Sequence, residues 1–180
     1  MLVTAALVAG CGASPVHSAA PSVSAVATAL RDSPPSLASL HGQADQLLGG
    51  GLPAFRARMA ALHGYPVVVN KWASWCGPCQ SEFPIFQKAA VKLGRRVAFL
   101  GLDSKDGNGS AAAFLHRFPV SYPSYTDRNE SIAGAFAAST YYPQTLFFSR
   151  RGHTTYVYDH AGPYLNEAAL EHDIARYALR

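Results

Sequence analysis

Charge is scarce in this 180-residue chain: 14% of its residues are Asp, Glu, Lys or Arg, against 49% hydrophobic. So apolar a composition belongs to a chain that buries a core, not to a disordered segment. The fifteen Lys and Arg residues are spread along the sequence, and the adjacent pairs Arg95-Arg96 and Arg150-Arg151 fall at expected turns. No basic stripe results, so the net charge of +4 describes a solvated surface and not a nucleic-acid-binding face. Long apolar runs are missing too. The uncharged start from Met1 to Gly10 is too short to span a bilayer. There is no internal repeat. Cysteine is limited to three residues, Cys11, Cys76 and Cys79, with no second pair and no HxxxH, so the four ligands of a structural zinc site are not present. Asp103, Asp106 and Asn108 have the look of a calcium loop, but Phe114 stands at the twelfth position, where a bidentate glutamate is required. No metal is expected.

What is present is Trp75-Cys76-Gly77-Pro78-Cys79, placed where the apolar run Val67-Val68-Val69-Asn70-Lys71-Trp72 gives way to a helical stretch. A dithiol at a strand-to-helix junction reads as a redox centre. The strand delivers Cys76 to the first turn of the helix, where unpaired N–H groups and the helix dipole favour a thiolate, the nucleophilic form. Cys79, about one turn further along the same face, is placed to attack a mixed disulfide. Pro78 stiffens the turn and lacks a donor that the helix start would leave unpaired.

Along the chain, residues 1–10 read as a leader, 11–36 as a flexible Ala-, Ser- and Pro-rich tether, and 37–180 as one domain. The leader ends in Leu7-Val8-Ala9-Gly10 before Cys11, which resembles a bacterial lipobox of actinobacterial type, although no basic segment precedes it. That resemblance makes Cys11 a lipidation site and the protein extracytoplasmic, held on a bacterial cell membrane by lipid. Helical spacing is expected over Leu37 to Leu48 and Leu52 to Leu62, then a strand from Val67. A helix from Glu82 to Leu93 follows, bent at Pro84, and a buried strand from Val97 to Leu102. Next come a helix from Ser110 to Phe118, a short strand from Tyr122 to Thr126 and a helix from Glu130 to Ala138. Thr145 to Phe148 and Thr155 to Tyr158 flank Arg150-Arg151-Gly152-His153 as a hairpin, and Asn166 caps a last helix to about Leu179. The order βαβα(α)ββα predicts an α/β fold, a central mixed sheet with helices on both faces and a helical N-terminal extension.

Three ordered segments carry a more specific resemblance. Val69 to Cys79 with Glu82-Phe83-Pro84, then Tyr142-Pro143-Gln144-Thr145-Leu146-Phe147, then Ala161-Gly162-Pro163 look like the thioredoxin-fold TlpA/ResA group of extracytoplasmic thiol-disulfide oxidoreductases. The resemblance implies that Cys76 attacks, that Cys79 resolves, and that Glu82 is a shielded carboxyl trading protons with Cys79. The bare sequence allows Glu82 to be an ordinary exposed helix carboxylate as well. Pro143 matches a cis-proline loop facing the cysteines, where a trans proline at a strand start is the alternative. Trp75, Gly77, Pro78, Tyr142, Pro143 and Gly162 are the expected substrate-binding residues. The redox-active pair is the only cofactor implied. The implied partners are protein thiols and disulfides and a membrane electron donor such as a DsbD/CcdA-like protein, for a monomer.

Three positions depart from the pattern. Asn70 stands where thioredoxins proper carry a buried aspartate, Lys71 replaces an aromatic with no evident reason, and Tyr142 is bulkier than the usual Thr or Val. A Gly-Pro pair between the cysteines leans toward a reductant for exported substrates, such as the apocytochrome thiols served by some members of the resembled group. An oxidase of exported proteins, or a binding module with an idle dithiol, stays open. A peroxidase would need its reactive cysteine after a proline and threonine, which the chain does not supply.

Overall fold

The computed structural model describes residues 21–138, 140–151 and 155–180. Cys11, the leader and the tip of the expected hairpin at Gly152 and His153 lie outside the described residues.

The elements run α1 (Val23–Leu30), α2 (Pro35–His41), β1 (Leu47–Leu48), α3 (Gly51–Ala61), β2 (Val67–Trp72), α4 (Gly77–Leu93) and β3 (Ala98–Ser104). They continue with α5 (Asn108–Arg117), β4 (Ser124–Asp127), α6 (Ser131–Ala135), β5 (Gln144–Phe148), β6 (Tyr158–Ala161) and α7 (Glu167–Asp173), which passes into a π-helical turn over Ile174–Ala178. The strands form one mixed sheet in the order β1-β4-β3-β2-β5-β6. The pairs β1/β4, β4/β3 and β3/β2 are parallel, while β2/β5 and β5/β6 are antiparallel.

Every residue of β2 and β3 is buried, as expected for central strands covered on both faces. Their side chains alternate between two cores. One holds Val68, Trp72, Phe99 and Phe147 with Phe83 and Phe86 of α4, Phe114 of α5 and Leu170 of α7. The other holds Val67, Val69, Leu100, Leu102 and Leu146 with Leu37 and Leu40 of α2, Phe55 and Met59 of α3 and Ile132 of α6. Helices therefore cover both faces of a thioredoxin-type mixed sheet. Trp72 ties the first core to the sheet: it stacks on Phe114 at 4.7 Å, meets Phe83 edge-on at 5.2 Å and donates from Nε1 to Ser124 Oγ. Gly101 makes room for that bond, since a Cβ there would collide with the Ser124 side chain and Trp72 Nε1.

Several local expectations are corrected. Residues 23–30, read as tether, form α1: Ser22 caps it by accepting from Ala25 N, its alanines favour helix, and Leu30 is buried. The helix expected over Leu37 to Leu48 stops at His41. Gln46 O accepts from Ser124 N and Leu47–Leu48 pairs with β4, so the unpaired groups of that strand edge outweigh helical spacing. α4 starts at Gly77 rather than Glu82 and continues through Pro84, which lies on its exposed side. α6 ends at Ala135, short of Ala138. The strand paired with β5 is Tyr158–Ala161, not Thr155 to Tyr158, because its end is set by Gly162 N donating to Pro143 O.

Among the described residues no helix is long and apolar enough to cross a membrane.

Candidate functional site

β2 runs out at Trp72, and a turn through Ala73, Ser74 and Trp75 carries the chain to Cys76, the N-cap of α4. Cys76 has extended backbone dihedrals, and its Sγ accepts the Cys79 N–H at 3.2 Å. A sulfur in that position sits where the helix start offers unpaired donors and the positive end of its dipole, so negative charge on Cys76 is favoured. The two cysteines form a disulfide, so the oxidised state is the one described. Cys76 is 4% exposed and Cys79 fully buried, which leaves Cys76 the sulfur that an incoming group reaches first. Gly77 and Pro78 lie on the surface beside it.

Glu82 follows Cys79 by three residues, on the same face of α4, and is completely buried. Burial pushes its carboxyl up to about 8, against the opposing pull of the Tyr164 backbone N–H, which donates to Oε2 at 3.1 Å. The Asn70 amide also favours the carboxylate, although it falls outside hydrogen-bonding geometry. Glu82 Oε1 has no protein partner. Near neutral pH the group is therefore mostly a neutral acid, able to give a proton. The reading of Glu82 as an exposed helix carboxylate is excluded.

The peptide bond between Tyr142 and Pro143 is cis. Gln144, the next residue, is level with Lys71 in the β2/β5 register, so Pro143 sits level with the end of β2, where the dithiol turn begins. The third segment closes onto the same place. Gly162, with φ +96°, donates from its backbone to Pro143 O, and Tyr164 reaches Glu82. Only glycine adopts that φ readily. The three sequence segments are thus brought to one end of the sheet, with Trp75 standing 57% exposed over it and its ring 4.8 Å from that of Tyr142.

Two groups of residues at this end were not anticipated. Lys71 is fully buried, and its Nζ lies 3.1 Å from Glu130 Oε1, 3.2 Å from Tyr141 O and 3.7 Å from the centre of the Tyr142 ring. Burial lowers its pKa, and Glu130 opposes that shift. Burial also works against the charge on Glu130, but hydrogen bonds from Lys105, Tyr142 and Lys71 outweigh it and hold the carboxyl at about 2. The signal available in the sequence was a single lysine inside an apolar strand. The second group is Asp103 and Asp106. Burial first, and then the neighbouring Asp106, push the Asp103 carboxyl up to about 8. Asp106 accepts from the Ser74 and Gly107 backbones and so braces the dithiol turn. In the sequence both aspartates stand out only as members of an incomplete calcium-loop pattern, which gives no hint of a place beside the dithiol.

A model of the AhpC/TSA family matches residues 55–157. Thiol:disulfide interchange protein DsbE of Pseudomonas fluorescens biotype C is 30% identical over 120 residues, covering 59% of this chain and 64% of that protein. Thiol-disulfide oxidoreductase ResA of Geobacillus thermodenitrificans is 26% identical over 102 residues, covering 53% and 55%. The chain therefore spans less than two thirds of the length of these relatives. Among solved structures, Mycobacterium tuberculosis (MTB) DsbF in its mixed oxidized and reduced forms superimposes with a TM-score of 0.58 at 26% identity, over 64% of this chain and 83% of that one.

Proposed function

The chain belongs to the AhpC/TSA family, and from that premise we propose that it is an extracytoplasmic thiol-disulfide oxidoreductase of the DsbE/ResA type that reduces disulfides of exported proteins, those formed by apocytochrome cysteine pairs among them. The observation that carries the reading is the pairing of Cys76, capping α4 with its sulfur, with a buried, neutral Glu82 one turn behind Cys79.

In the reducing direction the Cys76 thiolate attacks one sulfur of a substrate disulfide. That S–S bond breaks, one substrate thiolate leaves, and a mixed disulfide forms. Cys79 then gives up its proton to Glu82, acting through the minor ionised fraction that a carboxyl titrating at about 8 keeps near neutral pH, and attacks Cys76 Sγ. The Cys76–Cys79 bond forms and the second substrate thiolate departs, so two electrons have passed from dithiol to substrate. Recharging runs the sequence backwards. A donor thiolate attacks the more accessible Cys76, Cys79 leaves as a thiolate, and Glu82 returns the proton. The donor's own dithiol supplies the two electrons, and a membrane protein of the DsbD/CcdA kind is the proposed source. Pro143 lacks a backbone donor and leaves room for an extended substrate segment to pair beside Cys76. Cys11 is proposed to carry the lipid that holds the domain at the membrane.

The test is the reduction potential of the full chain, equilibrated in glutathione or dithiothreitol buffers and read by tryptophan fluorescence. A value near that of thioredoxin, about −270 mV, is expected for a reductant, and one near that of DsbA, about −120 mV, would make it an oxidase of folding proteins.

A further inference from the structure

We propose that Lys71 and Glu130 are positioning residues that hold Tyr142 against Trp75, and that this held aromatic wall makes the site select extended polypeptide disulfides over small ones. The inference rests on disulfide exchange at Cys76 and Cys79 as read above.

Lys71 occupies an interior position of β2 and faces the core of α3 and α6, level with Leu102 on one neighbouring strand and Gln144 on the other. An apolar residue suits such a position. Burying an ammonium and a carboxylate together costs desolvation that their attraction only partly returns, and apolar replacements of buried ion pairs are often neutral or stabilising. Stability alone therefore does not account for this pair. What it holds does.

Its contacts form a closed circuit around the mouth of the site. Trp75 Nε1 donates to Lys105 O at 3.1 Å, and Lys105 Nζ reaches Glu130 Oε2 at 2.7 Å. Glu130 Oε1 accepts from Tyr142 OH at 2.7 Å and from Lys71 Nζ at 3.1 Å. The Lys71 ammonium lies over the Tyr142 ring, and that ring returns to Trp75 at 4.8 Å. The loops that follow β2, β3 and β4 and the loop that precedes β5 are thereby tied to one carboxylate. Glu130 is itself held in a left-handed conformation, φ 55°, with its N–H on Asp127 O. Cation–π attraction and a charge-assisted phenol bond each fix the Tyr142 side chain from a different side.

The consequence depends on substrate size. A small disulfide needs only to reach Cys76 Sγ. An extended polypeptide must also lie between the exposed indole of Trp75 and the backbone at Pro143, where Tyr142 is the wall. A wall fixed beforehand spares the substrate the cost of ordering it. Neither Lys71 nor Glu130 touches the substrate; both act through Tyr142.

The experiment uses the full chain with Lys71→Met and Glu130→Gln. It measures KM and kcat with disulfide-bonded insulin, the second-order rate with oxidised glutathione, and the reduction potential. Loss of one fixed aromatic contact is expected to raise KM for insulin about tenfold, with kcat, the glutathione rate and the potential unchanged. Parallel loss on both disulfides, or no change in either, overturns the selection role while leaving the exchange reading intact. A wild-type protein inert toward both disulfides overturns the exchange reading and this one with it. Should Lys71→Met fail to fold, Glu130→Gln and Lys105→Met, the latter at an exposed lysine, carry the same comparison.

Discussion

Replacing Glu82 by glutamine is expected to stabilise the oxidised protein at neutral pH and to halve the loss of its stability as pH rises. Glu82 titrates at about 8 in the folded chain, against an ordinary value of 4.5. Between those two values the folded state holds a proton that the unfolded state has released, so stability falls as pH rises, by about 1.4 kcal/mol per pH unit. Asp103 adds a similar slope, with a folded value of about 8 against 3.8. From pH 5.5 to 7 the wild type should therefore lose about 4 kcal/mol, and Glu82→Gln about 2 kcal/mol. At pH 7 the variant gains about 3 kcal/mol, the cost of keeping a proton on a carboxyl that would otherwise be ionised. Glutamine is nearly isosteric, and its Oε1 can take the place of the carboxylate oxygen that accepts the Tyr164 N–H. Glu130, held at about 2, is ionised in both states over most of this window and adds little. Urea unfolding of the oxidised protein at half-unit pH steps measures all of this, with Asp103→Asn as the companion that removes the other half of the slope. A Glu82→Gln variant whose stability tracks that of the wild type across the window would refute the account of Glu82 as a buried, proton-holding acid.

Cys79→Ser is expected to trap substrate on Cys76 as a mixed disulfide, visible as a mass adduct released by dithiothreitol, whereas Cys76→Ser traps none because the buried Cys79 is not reached by substrate. Phe114→Ala removes the ring stacked on Trp72 and edge-on to Phe83, all three rings being buried, and is expected to cost about 3–5 kcal/mol in urea unfolding.

What the sequence made legible and what it did not divide along one physical line. The segments that could be read carry their cause within a few residues. Val67 to Trp72 is strand because a continuous apolar run suits a strand buried on both faces. Cys76 is a helix cap because Gly77 and Pro78 follow it, and Asn166 caps α7 by accepting from Ala169 N. Glu82 is an intermediate case. Cys79, Glu82, Phe86 and Leu93 fall on one buried helical face, so spacing pointed inward while residue type pointed outward, and only the resemblance to a family decided between them. α1 was missed because an Ala- and Ser-rich stretch without charge is linker-like until Leu30 finds a core to enter. β1 was missed because its cause is the open edge of β4, almost eighty residues on.

Lys71 is the extreme of this series. Nothing within the strand explains a lysine there, because its carboxylate partner comes from position 130 and its aromatic partner from position 142. Two of these residues, Lys71 and Tyr142, are where the chain departs from the thioredoxin-like pattern, and the structure makes those two departures one feature. A bulky Tyr142 before the cis-proline needs something to hold it, and Lys71 beneath the ring with Glu130 on the hydroxyl does so. The substitutions are therefore coupled: changing Tyr142 alone leaves a buried ammonium and carboxylate without their shared cover, and changing Lys71 alone leaves the ring without its floor. A Lys71→Met, Tyr142→Val double variant is accordingly expected to lose less stability than the sum of the two single variants, because the second change removes nothing that the first has not already freed. Urea unfolding of the four proteins at one pH reads the coupling, and strict additivity would mean that the two departures are unrelated.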